Sequence, residues 1–209
     1  MNLLFATRNP GKLRELRRLA AGLPVRVVSL DDLDQAIPEV VEDGATFAAN
    51  AAKKASAYAR AAGMHALADD SGLCIDGLWG QPGIRSARWS EEESPGLSGA
   101  GRDLANNAKL RMVMHGVLPE HRGAEYRAVV ALAGPDGTIL ASAEGICRGV
   151  IGEAPRGEGG FGYDPLFLPE GAPGKTMAEL SPAEKDGLSH RGEALRRLVP
   201  DLRRIAANL

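Results

Sequence analysis

The stretch "NLLFATRNPGKLRELRRL", Asn2–Leu19, decides the reading of the fold. An apolar run, Leu3-Leu4-Phe5, passes through the polar loop Thr7-Arg8-Asn9 into Pro10-Gly11. Beyond it Leu13, Leu16 and Leu19 recur on one helical face, and Arg14, Arg17 and Arg18 lie on the other. The spacing predicts a short buried strand over 2–6 and an amphipathic helix over 11–21. A strand feeding a helix is the opening of an α/β protein. The loop between them comes close to a P-loop and misses it twice: Ala6 stands in place of the first glycine, and Leu13 in place of the magnesium-binding hydroxyl. Two readings stay open. In one, Pro10-Gly11 simply starts the helix and Lys12 is solvated. In the other, backbone N–H groups and the positive end of the helix dipole receive phosphate, with Thr7 and Asn9 adding donors.

The alternation continues down the chain. "VRVVSL" (25–30) reads as a strand, 31–44 as a loop, and Thr46–Ala62 as an Ala-rich helix with Phe47, Ala51, Ala55 and Ala59 aligned. "HALADD" and "SGLCIDGL" read as two short strands joined at a turn, and Arg102–His115 as a helix. "AEYRAVVALAG" and "TILASAEGICRGVI" flank the turn signal "PDG" and predict an antiparallel hairpin. Ser189 is placed as the N-cap of a last helix, 189–206, with Leu195, Leu198, Leu202 and Ile205 inward and Pro200 as a kink. The expectation is a mixed β-sheet covered by helices, in one domain spanning 1–209, without internal repeats or a dividing linker.

At 209 residues and 44% hydrophobic, the chain is long enough to bury a sizeable core. Its net charge of −2, with both signs interspersed, argues against a nucleic-acid tail or a polybasic membrane patch. Cys74 and Cys147 lack metal-ligand spacing and read as reduced thiols of a cytoplasmic protein. No basic segment precedes the first apolar run, and no run nears the ~18 apolar residues of a membrane span, so neither signal peptide nor span is expected.

The chemistry-bearing residues fall in four further places. In "LADDSGL", Asp69 and Asp70 end an apolar strand. Neighbouring strand residues point to opposite faces, so the two should not share one site. One would fix the turn while the other faces a ligand; the alternative is an Asx-turn that merely closes a hairpin. Glu42 precedes a helix, where it would complement the dipole. These are hard oxygen donors without a His/Cys cluster, so any metal should be magnesium rather than zinc. "RGEGGFGYDPLF" holds G-x-G-x-x-G at Gly157, Gly159 and Gly162, but no helix follows it, which rules out a dinucleotide fingerprint. Its glycines would let the backbone approach a ligand, and Phe161 and Tyr163 would offer an aromatic face; alternatively Phe161 is tucked into the core. Last, "EKDGLSHRGEAL" gathers Lys185, His190 and Arg191 at a helix start, against the dipole preference, which suggests an anionic or carbonyl-bearing ligand.

In order, "TRNPGK", "EDGATFAANAAKKA", "ADDSGL", "GGFGYDPLF" and "SHRGEAL" resemble the inosine triphosphate pyrophosphatase family over nearly the whole chain. The resemblance implies an elongated mixed sheet with helices, two lobes around a central nucleotide cleft, and a homodimer. It implies magnesium-dependent hydrolysis of ITP, dITP and XTP to monophosphate and pyrophosphate. By the same carry-over Thr7, Arg8, Asn9, Pro10, Gly11 and Lys12 bind the triphosphate with help from Lys54, and Glu42 and Asp70 hold magnesium. Asp70 also accepts the proton of the attacking water. Ser71, Phe161, Gly162, Tyr163, Asp164, Lys185, His190 and Arg191 are the other substrate contacts, with Arg191 expected to donate to a base carbonyl. The sequence departs from the family at Ala49, often a glutamate there, so one carboxylate near the metal is missing. Two alternatives share the phosphate loop: a related pyrophosphatase acting on other nucleotides, and a non-catalytic nucleotide sensor.

Overall fold

The structure, a computed structural model, describes residues 1–207. The elements run β1 (Asn2–Phe5), α1 (Pro10–Leu19), β2 (Arg26–Ser29), α2 (Phe47–Ala62), β3 (Ala66–Ile75), α3 (Gly99–Val113), β4 (Gly123–Ala133), β5 (Ile139–Ile151), β6 (Phe167–Pro169), α4 (Pro182–Leu188) and α5 (His190–Ala207). One six-stranded sheet has the order β2-β1-β3-β4-β5-β6. β1 runs parallel to both β2 and β3, whereas β5 and β6 are antiparallel, so the fold is α/β with a mixed sheet, as the sequence indicates. The parallel pair β1–β2 requires a crossover, and α1 supplies it. β4 and β5 are neighbours joined through a turn in which Gly134 N–H donates to Thr138 O (2.9 Å) and Gly137 N–H to Gly134 O (2.8 Å). So short a connection leaves only the antiparallel hairpin expected around "PDG".

Two compact units form: residues 1–70, 128–145 and 190–209, and residues 71–127 and 146–189. β3, β4 and β5 each contribute residues to both. In the first unit the side-chain alternation of the strands sorts the core into two layers. Leu4, Ala66, Ala68, Val129 and Ala131 pack with Ala51, Ala55 and Ala59 of α2. On the opposite parity, Leu3, Phe5, Leu67, Val130 and Leu132 pack with Leu16 of α1 and Leu195, Leu198 and Leu202 of α5. These leucines are 2% exposed or less. Each contributes at most roughly 1.5–3 kcal/mol by area. The second unit has its own core, in which Leu73, Ile75, Leu110, Tyr126, Leu166 and Phe167 meet.

Two expectations change here. "ALADDSGLCI" is one continuous strand, not two strands at a turn. β3 pairs with β1 at Ala66 and Leu67 and has β4 as its other neighbour in the sheet, and it runs unbroken through Ser71-Gly72. The region around "EKDGL" is an unforeseen helix, α4. Ser181 caps it by accepting from Glu184 N–H, the side chain of Glu184 reaches back to Ser181, and Pro182 opens it. Ser189 accordingly closes α4, and α5 begins at the next residue.

Candidate active site

The parity of β3 assigns the two aspartates. Asp69 shares its face with Leu67, and Asp70 shares its face with Ala66 and Ala68; α1 and α5 cover the first face and α2 the second. The Asp69 Oδ2 atom accepts from Lys12 Nζ (2.9 Å) in α1 and from Arg191 Nε (3.1 Å) in α5, while Arg191 Nη1 pairs with Glu15 of α1. Asp70 Oδ2 accepts from Asn50 Nδ2 of α2 (3.0 Å), and Asp70 Oδ1 lies 3.7 Å from Lys54 Nζ. The two carboxylates therefore serve separate groups, as adjacent strand positions require.

The loop before α1 is pre-formed by its own side chains. Thr7 Oγ1 accepts from Asn9 N–H (3.2 Å), and Asn9 Oδ1 accepts from Lys12 N–H (3.1 Å), so Asn9 is the N-cap, with Pro10 opening the helix. Arg8 Nη2 donates to Ile37 O at 2.5 Å and ties the loop to the segment between β2 and α2. Lys12 is not solvated, as the plainer reading had it; it is paired with Asp69. Burial pulls the Lys12 pKa down, and Arg191 and Lys54 add to this, outweighing Asp69. Asp69 itself is pushed up by burial, yet Lys12, Arg191 and Lys54 together hold it far below the usual carboxylate range. The opposite fortunes follow from sharing: one carboxylate gains from several cations, and each cation feels the others.

On the α2 face, Thr46 caps the helix by accepting from Ala49 N–H (3.1 Å). That turn delivers Asn50, fully buried, whose Oδ1 accepts from Gly44 N–H (2.8 Å) while its amide donates to Asp70. Gly44 follows Glu42 by two residues, so Asn50 fixes the approach of the Glu42 segment to Asp70. One turn further, Lys54 Nζ sits 2.5 Å from Glu42 Oε1. Burial lowers the Lys54 pKa, but Asp69, Asp70 and Glu42 more than offset it and the net shift is upward. The Asp70 carboxyl is raised, chiefly by burial and against the pull of Lys54 and Asn50, which makes it a stronger base than an exposed aspartate. Glu42 and Asp70 converge on one ammonium, an all-oxygen pair whose joint field already holds a cation. Among the described residues no group of three or more His, Cys, Asp or Glu forms. Two carboxylates completed by phosphate oxygens and water are what magnesium takes, so the donor set fits that ion.

In the second unit Asp164 organises the aromatic loop. Its Oδ2 accepts from Phe161 N–H (2.9 Å) and from Lys185 Nζ (2.5 Å), and its Oδ1 lies 3.4 Å from the Tyr126 hydroxyl. Lys185 Nζ also stands 4.8 Å from the centre of the Phe161 ring. Phe161 is half-buried and outside the core cluster, whereas Tyr163 is in it, its hydroxyl donating to Ser86 O at 2.8 Å. Only Phe161 of the expected pair offers an aromatic face. Two of the loop's glycines are required by close approach within the protein itself. A side chain at Gly160 would come within 2.0 Å of Asp164 Oδ2, and one at Gly157 within 2.6 Å of the Ala178 backbone.

The cations near α5 also find partners within the protein. Lys185 lies in the last turn of α4, where the dipole favours it, and pairs with Asp164. Arg191, 2% exposed and expected to donate to a base carbonyl, is the counter-ion of Asp69 and Glu15. The apparent dipole conflict is thus met by buried carboxylates and does not by itself require a ligand. His190, the first residue of α5, is buried, and Ser71 is half-buried in β3. Sequence reasoning missed Glu15 and Asn50, which no local pattern sets apart from solvated helix residues.

The sequence model described as the Ham1 family matches residues 3–201. The chain is 59% identical to a dITP/XTP pyrophosphatase of Anaeromyxobacter sp. (strain Fw109-5), over 99% of this chain and 98% of that one. It is 48% identical to the dITP/XTP pyrophosphatase of Streptomyces coelicolor (strain ATCC BAA-471 / A3(2) / M145), over 97% and 98%. Among solved structures, a HAM1 protein from Coxiella burnetii superposes with a TM-score of 0.80 at 33% identity, covering 98% of this chain and 99% of that one. The nucleoside-triphosphatase / dITP/XTP pyrophosphatase of Mycobacterium abscessus ATCC 19977 / DSM 44196 gives 0.71 at 45% identity, covering 96% and 100%. Matched over almost its whole length by the family model, by relatives well above half-identical or nearly so, and by family structures, the chain belongs to the Ham1 family.

Proposed function

We propose that the protein hydrolyses non-canonical purine nucleoside triphosphates, ITP, dITP and XTP, to the monophosphate and pyrophosphate. The observation that carries the reading is the division of labour across β3: Asp70 is a buried carboxylate on one face, with Lys54 Nζ 3.7 Å away, and Asp69 pairs with Lys12 on the other. Asp70 takes the proton as a water oxygen bonds to the α-phosphorus and the bond to the departing pyrophosphate breaks. Lys12 and Lys54 face the anionic phosphates, as charge developing on a leaving group requires. Phe161 supplies the stacking surface for the purine. Glu42 and Asp70 would hold magnesium, which when bound neutralises phosphate charge.

The names of the relatives support this substrate class over the alternatives of other nucleotides or a silent sensor. A sensor would also have no need to keep the carboxylates Glu42 and Asp70. The test is a turnover panel of ITP, dITP, XTP, GTP and ATP, with pyrophosphate distinguished from orthophosphate. Release of pyrophosphate from ITP and XTP, well above ATP and GTP, is expected; equal rates on ATP and ITP would remove the selectivity for non-canonical purines. In the same assay a chelator should abolish activity, and Glu42→Gln should raise the magnesium concentration for half-maximal rate. An unchanged magnesium dependence would confine Glu42 to its ion pair with Lys54.

Two coarser features complete the proposal. No helix among the described residues is long and apolar enough to cross a membrane, and neither Cys74 nor Cys147 forms a disulfide, in keeping with a cytoplasmic enzyme. For a homodimer, α3 offers a stripe at spacing four, Leu104, Ala108 and Met112, exposed to solvent, the two large residues at 72% each. A monomeric mass by sedimentation at micromolar concentration would remove the dimer.

A further inference from the structure

Gly162 is held on both of its backbone polar groups by two side chains one helical turn apart. Asp103 Oδ2 of α3 accepts from Gly162 N–H at 2.8 Å, and Asn107 Nδ2 donates to Gly162 O at 2.7 Å. Asn107 Nδ2 also donates to Asp103 O (2.9 Å), which braces one jaw against the other. The orientation of the Asn107 amide is forced, since turning it over would set its oxygen against two carbonyls. The consequence is a cost: Asn107 Oδ1 is buried without a hydrogen-bond partner among the described residues. A protein that keeps such an atom gains something from the arrangement elsewhere. α3 has no core need for these contacts, because its buried apolar anchor is Leu110 and its other buried polar residues, Arg102 and Asn106, face Ser90 and Ser86.

What the pair restrains is the residue after Phe161. Phe161 N–H is fixed by Asp164, Gly162 by Asp103 and Asn107, and Tyr163 by Ser86, so three successive residues each have a separate anchor. With the backbone fixed on both sides of its Cα, the Phe161 ring keeps little freedom beyond its own side-chain torsions. A stacking platform gains from this, since a ring already in its binding attitude loses less entropy when the base arrives. We propose that Asp103 and Asn107 are positioning residues for base binding, clipping Gly162 to α3 and so fixing the attitude of Phe161. The proposal rests on the reading of Phe161 as the purine platform given above.

The test is steady-state kinetics on ITP with Asp103→Ala, Asp103→Asn and Asn107→Leu, each alone and combined with Phe161→Ala. Asp103→Ala and Asn107→Leu should raise KM about tenfold, the scale of one lost charge-assisted or buried hydrogen bond, and leave kcat within about twofold. Asp103→Asn should restore KM, because its amide oxygen still accepts from Gly162 N–H. Asn107→Leu keeps the volume and deletes the orphan oxygen together with the two bonds of its amide, effects that oppose each other, so its thermal midpoint should stay near wild type while KM worsens. A merely structural role predicts the reverse pairing. In the Phe161→Ala background the clip variants should cost less than about twofold more, the non-additivity of groups acting through one another. A tenfold loss that persists in that background, or a fall in kcat at constant KM, would overturn the clip while leaving the enzyme's function intact. If Phe161→Ala itself leaves KM unchanged, the platform reading fails and the clip with it.

Discussion

Replacing Asp70 by asparagine is expected to lower kcat on ITP by ~10²–10⁴, the range for a lost general base, while nucleotide still binds. The substitution keeps shape and most contacts. An asparagine oxygen can still accept from the Asn50 amide, and Lys54 retains its 2.5 Å contact with Glu42. What goes is the charged lone pair that the proposed mechanism uses to take the water proton. Rate by pyrophosphate release and affinity by calorimetry, measured on the same preparation, separate the two effects. Near wild-type turnover would remove Asp70 from the base role. Hydrolysis in ¹⁸O water should place the label in the monophosphate, and label found only in pyrophosphate would mean attack at the β-phosphorus.

The second large effect belongs to its neighbour and is one of stability. Asp69, Glu15, Lys12 and Arg191 form a buried set with two charges of each sign. Asp69→Asn leaves an excess positive charge there, and breaking a buried pair by removing one partner costs about 3–5 kcal/mol. Lys12 loses its restraint at the same time, so KM should rise in whatever fraction remains folded. The pH dependence has a definite sign. Asp69 is held below its unfolded pKa, so its contribution is complete above about pH 4 and declines as pH falls below that. The wild-type melting temperature should therefore drop in acid more steeply than that of the variant. Parallel melting profiles from pH 7 to pH 3, or a loss under 1 kcal/mol, would show the set to be solvated.

The fold was legible wherever a period reported burial. Leu13, Leu16 and Leu19 marked α1, the alanines marked α2, and "PDG" marked the β4–β5 turn. Ser71-Gly72 is a turn signal in isolation, but a long strand with a neighbour in the sheet overrides it, and no local pattern in the sequence reports that neighbour. The residues named by motif have places in the fold, but their partners are less legible in the sequence. Arg191 meets Asp69 and Glu15 across 122 and 176 positions, and Asp103 meets Gly162 across 59. No local pattern reports a partner at that distance. A buried glutamate on α1 therefore looks like any solvated one until α5 is in place.

The alanines of α2 have a consequence for how this protein tolerates change. Ala51, Ala55 and Ala59 are fully buried, and they stand beside Asn50 and Lys54 in the same helix. Their methyl groups act as a gauge block that sets how close the helix axis comes to β3. A larger residue there relieves its overpacking by lifting the helix, carrying the Lys54 ammonium and the Asn50 amide with it. Misplacement by a single ångström can cost ~10²-fold in rate. In a saturation screen scored by turnover these inert positions will sort with the reactive ones, so the tolerance map of α2 traces a length and not a chemistry.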